Sequence, residues 1–91
     1  MTIHNFEEII AWQRGQDLAV NIYQDFGILK DFSFRDQICR ASVSISNNIA
    51  EGFGRRSGDK EFVRYLNIAN GSTAEVKSML YLAKRLNFLK D

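Results

Sequence analysis

Ninety-one residues, 45% hydrophobic and 25% charged, describe one small globular domain spanning 1–91. Twelve Lys and Arg against eleven Asp and Glu leave a net charge of +1, which excludes the strong basic excess of a dedicated non-specific nucleic-acid binder. The single cysteine, Cys39, excludes an internal disulfide framework and fits a reducing, cytoplasmic setting. The opening Met1-Thr2-Ile3-His4-Asn5 has no basic stretch followed by an apolar run, so no signal peptide is expected. No apolar run approaches the ~20 residues of a membrane span. Proline is absent, which fits long uninterrupted helices joined by short turns.

The spacing predicts a first helix over about 6–26, with Gln13, Arg14, Asp17, Asn21, Gln24 and Asp25 on a narrow polar arc. Trp12, Gly15, Leu18, Ala19, Val20, Ile22, Tyr23 and Phe26 occupy the apolar side, only Ile10 falls among the polar residues, and Gly27 ends the helix. Ser33 with Asp36 reads as a cap for the second helix, about 34–54. On that helix Ile38, Ala41, Ser42, Ile45, Ile49 and Gly52 share a face, and Gln37, Arg40, Ser44, Asn47, Glu51 and Arg55 form the polar stripe. Ala41, Ile45, Ile49 and Gly52 are the expected positions of close helix packing, and Glu51 and Arg55 stand in the favourable order for an i,i+4 ion pair. Ser57 or Asp59 can cap a third helix over about 58–86, whose seam is Phe62, Leu66, Ala69, Thr73, Val76, Leu80 and Ala83. Asn87 is a suitable residue to end it. Trp12, Tyr23, Ile38, Ile45, Ile49, Phe62, Leu66, Leu80 and Leu86 are the expected core.

Each helix carries roughly 200° of apolar or small residues, against an arc of ~100° on an ordinary surface helix. Three such helices packed only on one another leave apolar surface over, which points to self-association or a further helix.

Chemistry is sparse. His4 is the only histidine, and no His/Cys/carboxylate cluster suggests a metal site, so no metal or cofactor is expected. Cys39 lies on an apolar flank as a structural thiol, and Ser42, Ser44 and Ser46 point in three directions. Gly52-Phe53-Gly54-Arg55-Arg56-Ser57-Gly58 is glycine-rich and basic before a helix N-terminus, yet matches neither phosphate-binding fingerprint. It is either a phosphate contact or a helix end followed by solvated arginines. Arg55, Arg56, Lys60 and Arg64 are the candidate nucleic-acid contacts, with Arg56 the freer of the arginine pair.

The run Phe6-Glu7-Glu8-Ile9-Ile10-Ala11-Trp12-Gln13, the helix Gln37 to Ile45, the stretch Ser46-Asn47-Asn48-Ile49-Ala50-Glu51-Gly52-Phe53-Gly54-Arg55, and Glu61 to Ala69 followed by Gly71-Ser72 resemble, in order, the motifs of the four-helix-bundle proteins encoded by intervening sequences in bacterial 23S rRNA genes. The family's proline before Ser-Asn-Ile is missing, and the chain stops at Asp91 where the family continues into a fourth helix. The resemblance implies an all-α, antiparallel up-down bundle, with three helices here and the fourth absent or truncated. It implies a homo-oligomeric ring, first of all a pentamer, without enzymatic activity. Through the related accessory variability protein of diversity-generating retroelements it implies RNA or a reverse-transcriptase-like protein as partner. The function expected is a cytoplasmic scaffold or adaptor contacting RNA or a nucleic-acid-processing partner. The alternative is a pure protein–protein interaction module.

Overall fold

The computed structural model describes residues 2–89. Those residues form a short 3₁₀ turn, Phe6–Glu8, and three helices, α1 (Ile10–Phe26), α2 (Phe32–Arg55) and α3 (Asp59–Arg85), with no strand among them. The class is all-α.

The first helix does not begin at Phe6. Ile9 is extended, with φ −77° and ψ 118°, and separates the 3₁₀ turn from α1. The break lets the Phe6 ring meet the edge of Trp12, centroids 5.2 Å apart, while Ile9 packs on the core. No Gly or Pro marks it, so periodicity alone carried the helix through. Gly27 closes α1 in a right-handed conformation in which an added Cβ would run into the Tyr23 carbonyl, so the position suits glycine.

The cap of α2 is Asp31, not Ser33. Its Oδ1 accepts from the Phe34 backbone N–H at 3.1 Å, which moves the helix start to Phe32. Neither Ser57 nor Asp59 caps α3; the N-cap is Gly58 without a side-chain bond, and Ser57 Oγ donates to Glu61 Oε2 at 3.3 Å. At the other end Asn87 takes the left-handed conformation, φ 61°. Its N–H bonds the Lys84 carbonyl and the Phe88 N–H bonds the Ala83 carbonyl, the two bonds of a Schellman motif. Phe88 then meets Phe34 edge-on, centroids 5.1 Å apart.

α2 is the middle element. It packs on α1 along one flank and on α3 along the other, while among the described residues α1 and α3 make no close backbone approach to each other. Gly15 marks a close approach on the α1–α2 seam, where an added Cβ would stand 3.3 Å from Ile45 Cγ2 and from the Ser46 backbone. Gln16 Nε2 donates to Ser46 Oγ across it at 3.0 Å. Ile22, Phe26, Phe34, Ile38, Ile45, Ile49, Ala69, Val76, Met79 and Ala83 are buried in the common core.

Several core expectations are corrected. Ile38, Ile45 and Ile49 are buried, but Trp12, Phe62, Leu66 and Leu80 are half-buried, and Tyr23 and Leu86 are exposed. The α3 seam is rotated: Tyr65 and Met79 are buried, whereas Thr73 of the expected seam is exposed. The cause is that α3 has a neighbour on one side only. Its Leu66, Ala69 and Thr73 line an open apolar groove whose far wall is Ala11, Arg14 and Gly15 of α1 and whose floor is Ile45 and Ile49 of α2.

Candidate nucleic-acid interface

The basic corner forms where α2 ends and α3 begins. Gly52 is buried there with no side chain, because an added Cβ would lie 2.9 Å from Tyr65 Cγ and closer still to Tyr65 Cβ. That approach sets the turn. It brings Phe53 onto Phe62, centroids 5.8 Å apart at 74°, and leaves Arg55, Arg56, Lys60 and Arg64 all exposed around it.

The four cations are not alike. Arg55 Nε pairs with Glu51 Oε2 at 3.0 Å, as the i,i+4 spacing foretold. The Arg56 guanidinium lies over the Phe53 ring, 3.6 Å from its centroid, and donates to the Phe53 carbonyl, one of the carbonyls left over at the helix end. Arg56 is therefore not the freer arginine, a correction whose cause is the aromatic three residues before it. Arg64 lies over Tyr65 at 4.8 Å. Lys60 has no ion-pair or hydrogen-bond partner among the described residues. Stacking keeps a guanidinium charged and its outer N–H groups open to an acceptor. The corner thus offers charge at fixed positions, diluted by Glu51, Asp59 and Glu61.

The outer side of α2 carries a second polar set. Asn48 Nδ2 donates to the Ser44 carbonyl at 2.8 Å and to Ser44 Oγ at 2.9 Å. Ser44 Oγ in turn meets Ser72 Oγ of α3 at 2.9 Å, and Gln37 Nε2 donates to Glu75 Oε2 at 3.2 Å. The Ser44–Ser72 and Gln37–Glu75 bonds fasten α2 to α3 outside the apolar core. Burial pushes the Cys39 thiol up from its ordinary pKa, with Arg35 opposing and Asp36 adding a little, so the thiol is held away from its nucleophilic form. Among the described residues no group of three or more His, Cys, Asp or Glu could hold a metal ion, and no helix is long and apolar enough to cross a membrane.

A family model described as 23S rRNA-intervening sequence protein matches residues 7–91. The chain belongs to the 23S rRNA-intervening sequence protein family. No curated protein and no solved structure gives a match. The family match takes in all three helices, the basic corner and the outer side of α2. The residues that carried the resemblance fall at working positions of this family member: Gly52 at the α2–α3 approach, Arg55 in its ion pair, Trp12 against Phe6. Sequence reasoning missed the stacking of Arg56 and Arg64, although Phe-x-x-Arg at helical spacing was a usable signal for the first.

Proposed function

We propose that this family member is a non-enzymatic scaffold that assembles with copies of itself and contacts RNA at the Arg55, Arg56, Lys60 and Arg64 corner. The observation that carries the reading is the open apolar groove between α1 and α3. A groove floored by Ile45 and Ile49 and walled by Ala11, Gly15, Leu66 and Ala69 is shaped for a helix, since small residues admit a close backbone. In this reading the helices form an antiparallel up-down bundle whose fourth place is taken by a helix of a neighbouring copy. A pentameric ring is the first expectation. A ring gathers modest charge from each chain onto one rim, so a net charge of +1 is no obstacle to binding phosphate. The reducing cytoplasm suits the one buried cysteine.

A second reading, a protein-only adaptor, is favoured by the engagement of Arg55 with Glu51 and of Arg56 with Phe53. Light scattering at micromolar concentration and RNA binding across a salt series separate the two. An oligomer whose RNA affinity falls with salt, and falls further in Arg55→Ala/Arg56→Ala, supports the scaffold with an RNA contact. A chain that ignores RNA supports the adaptor, and a stable monomer overturns the self-assembling scaffold.

A further inference from the structure

Arg40 stands two residues from Ile38, and Asn47 two from both Ile45 and Ile49, which at ~100° per residue puts them on the other side of α2. Between this side of α2 and α1 lies a depression of about 780 Å³, within the ~300–1,000 Å³ usual for small-ligand sites. Its α1 wall is Tyr23, which is 52% exposed although its helical position places it among apolar residues. Its floor includes half-buried Val43 and its rim carries Arg40 and Asn47.

Three of the polar groups here are unspent. Among the described residues Arg40 has no ion-pair or hydrogen-bond partner, and neither does the Asn47 amide or the Tyr23 hydroxyl. The one carboxylate lining the depression, Asp36, is already held by Arg35 Nη2 at 2.9 Å. The local balance is two guanidiniums against one carboxylate. The smaller hollow on the α3 side of Arg40, about 590 Å³, is not lined by Arg35 and adds Glu75, so there two carboxylates face one guanidinium. An anion is therefore drawn to the α1 side.

We propose that this depression binds an unpaired nucleotide: its base stacks on the Tyr23 ring above Val43, its phosphate meets Arg40, and Asn47 meets the base edge. An aromatic face, a free guanidinium and a free amide in one hollow are the groups by which proteins hold unpaired bases. A duplex, whose bases are stacked and paired, has nothing to place on Tyr23. The inference rests on the RNA reading above and gives it a second, chemically different contact. The same groups suit a nucleotide within a strand or a free mononucleotide.

The test uses fluorescence anisotropy of a labelled ten-nucleotide unstructured RNA with the full chain as wild type, Tyr23→Leu, Tyr23→Phe, Arg40→Gln and Arg56→Ala. Tyr23 and Arg40 are exposed, so the variants keep the fold, which circular dichroism checks. Tyr23→Leu should weaken single-strand binding roughly 5- to 100-fold, the range for losing one stacked base, while Tyr23→Phe restores it. Arg40→Gln should weaken binding and make the salt slope shallower by about 0.7. A duplex of the same length should not respond to Tyr23→Leu. Competition by unlabelled mononucleotide assigns the site to the free ligand; no competition with the Tyr23 effect intact assigns it to a strand. If wild type binds RNA and the Tyr23 and Arg40 variants bind equally well, with only Arg56→Ala impaired, this site is overturned and the corner stands. If wild type binds neither RNA nor mononucleotide, both fall.

Discussion

Two helical glycines show how one residue type serves opposite ends. Gly52 is filled against Tyr65, and a methyl group there meets the part of that side chain tied to the backbone, so α2 and α3 must separate. Gly71, mid-α3, has nothing within 4 Å of an added Cβ. Gly52→Ala should therefore cost about 1–3 kcal/mol by overpacking even though alanine is the better helix former. Gly71→Ala should raise stability by about 0.5–1 kcal/mol, both read from urea unfolding midpoints. The close approach at Gly52 was legible in the sequence, since the glycine sits on the Ile38/Ile45/Ile49 face; its partner Tyr65 was not, because that depends on the register between two helices. Cys39 gives a residue-scale pH effect. Its raised pKa means the folded chain keeps the thiol proton after the unfolded chain has lost it. The stability this contributes is whole below the ordinary value of 9.0 and is lost as pH rises through the higher folded value. Urea midpoints should fall above about pH 9, less steeply in Cys39→Ala than in wild type.

The elements differ in how firmly they are held. α2 is packed on both flanks and is bonded to α3 through Ser44–Ser72 and Gln37–Glu75 as well as through the core. α1 leans on α2 alone among the helices, along a seam of Gly15, Ile45 and Ser46. Amide hydrogen exchange should accordingly show α1 opening first, with the slowest amides in the middle of α2 near Ile38 to Ile49. Uniform protection across the three helices would contradict this order. Helix extents were readable from periodicity to within a few residues, but ends were not. Asp31 outcompeted Ser33 as cap because its carboxylate reaches the Phe34 N–H, and the extended Ile9 had no sequence mark. The seam of α3 was misplaced by a fraction of a turn because helical periodicity centres a seam on the whole apolar arc, whereas α3 is covered on one side of it only. Thr73, by contrast, folds back on its own helix, its Oγ1 donating to the Ala69 carbonyl at 2.9 Å.

For the whole molecule the groove between α1 and α3 is the feature to test. Leu66 is half-buried on its wall, so Leu66→Arg places a cation in the proposed contact with a neighbouring copy while sparing the buried core. Light scattering should show dissociation to the monomer with helical circular dichroism retained, and an unchanged mass would place the contact elsewhere. The excess of apolar arc was visible in the sequence; that the three helices lie side by side with α2 between the others was not, because periodicity reports which face is apolar and not which helix covers it. The hollow beside Tyr23 was hidden for the same reason. One further consequence follows from α2 being central. Among the described residues the three α-helices touch only their neighbours along the chain, so their packing needs no loop longer than one hairpin to close. Such short-range topology belongs to fast folders, on the microsecond-to-millisecond scale, and with no proline in the sequence there is no slow isomerisation to wait for. A chain leaving a ribosome would therefore fold on its own local contacts far faster than it was made.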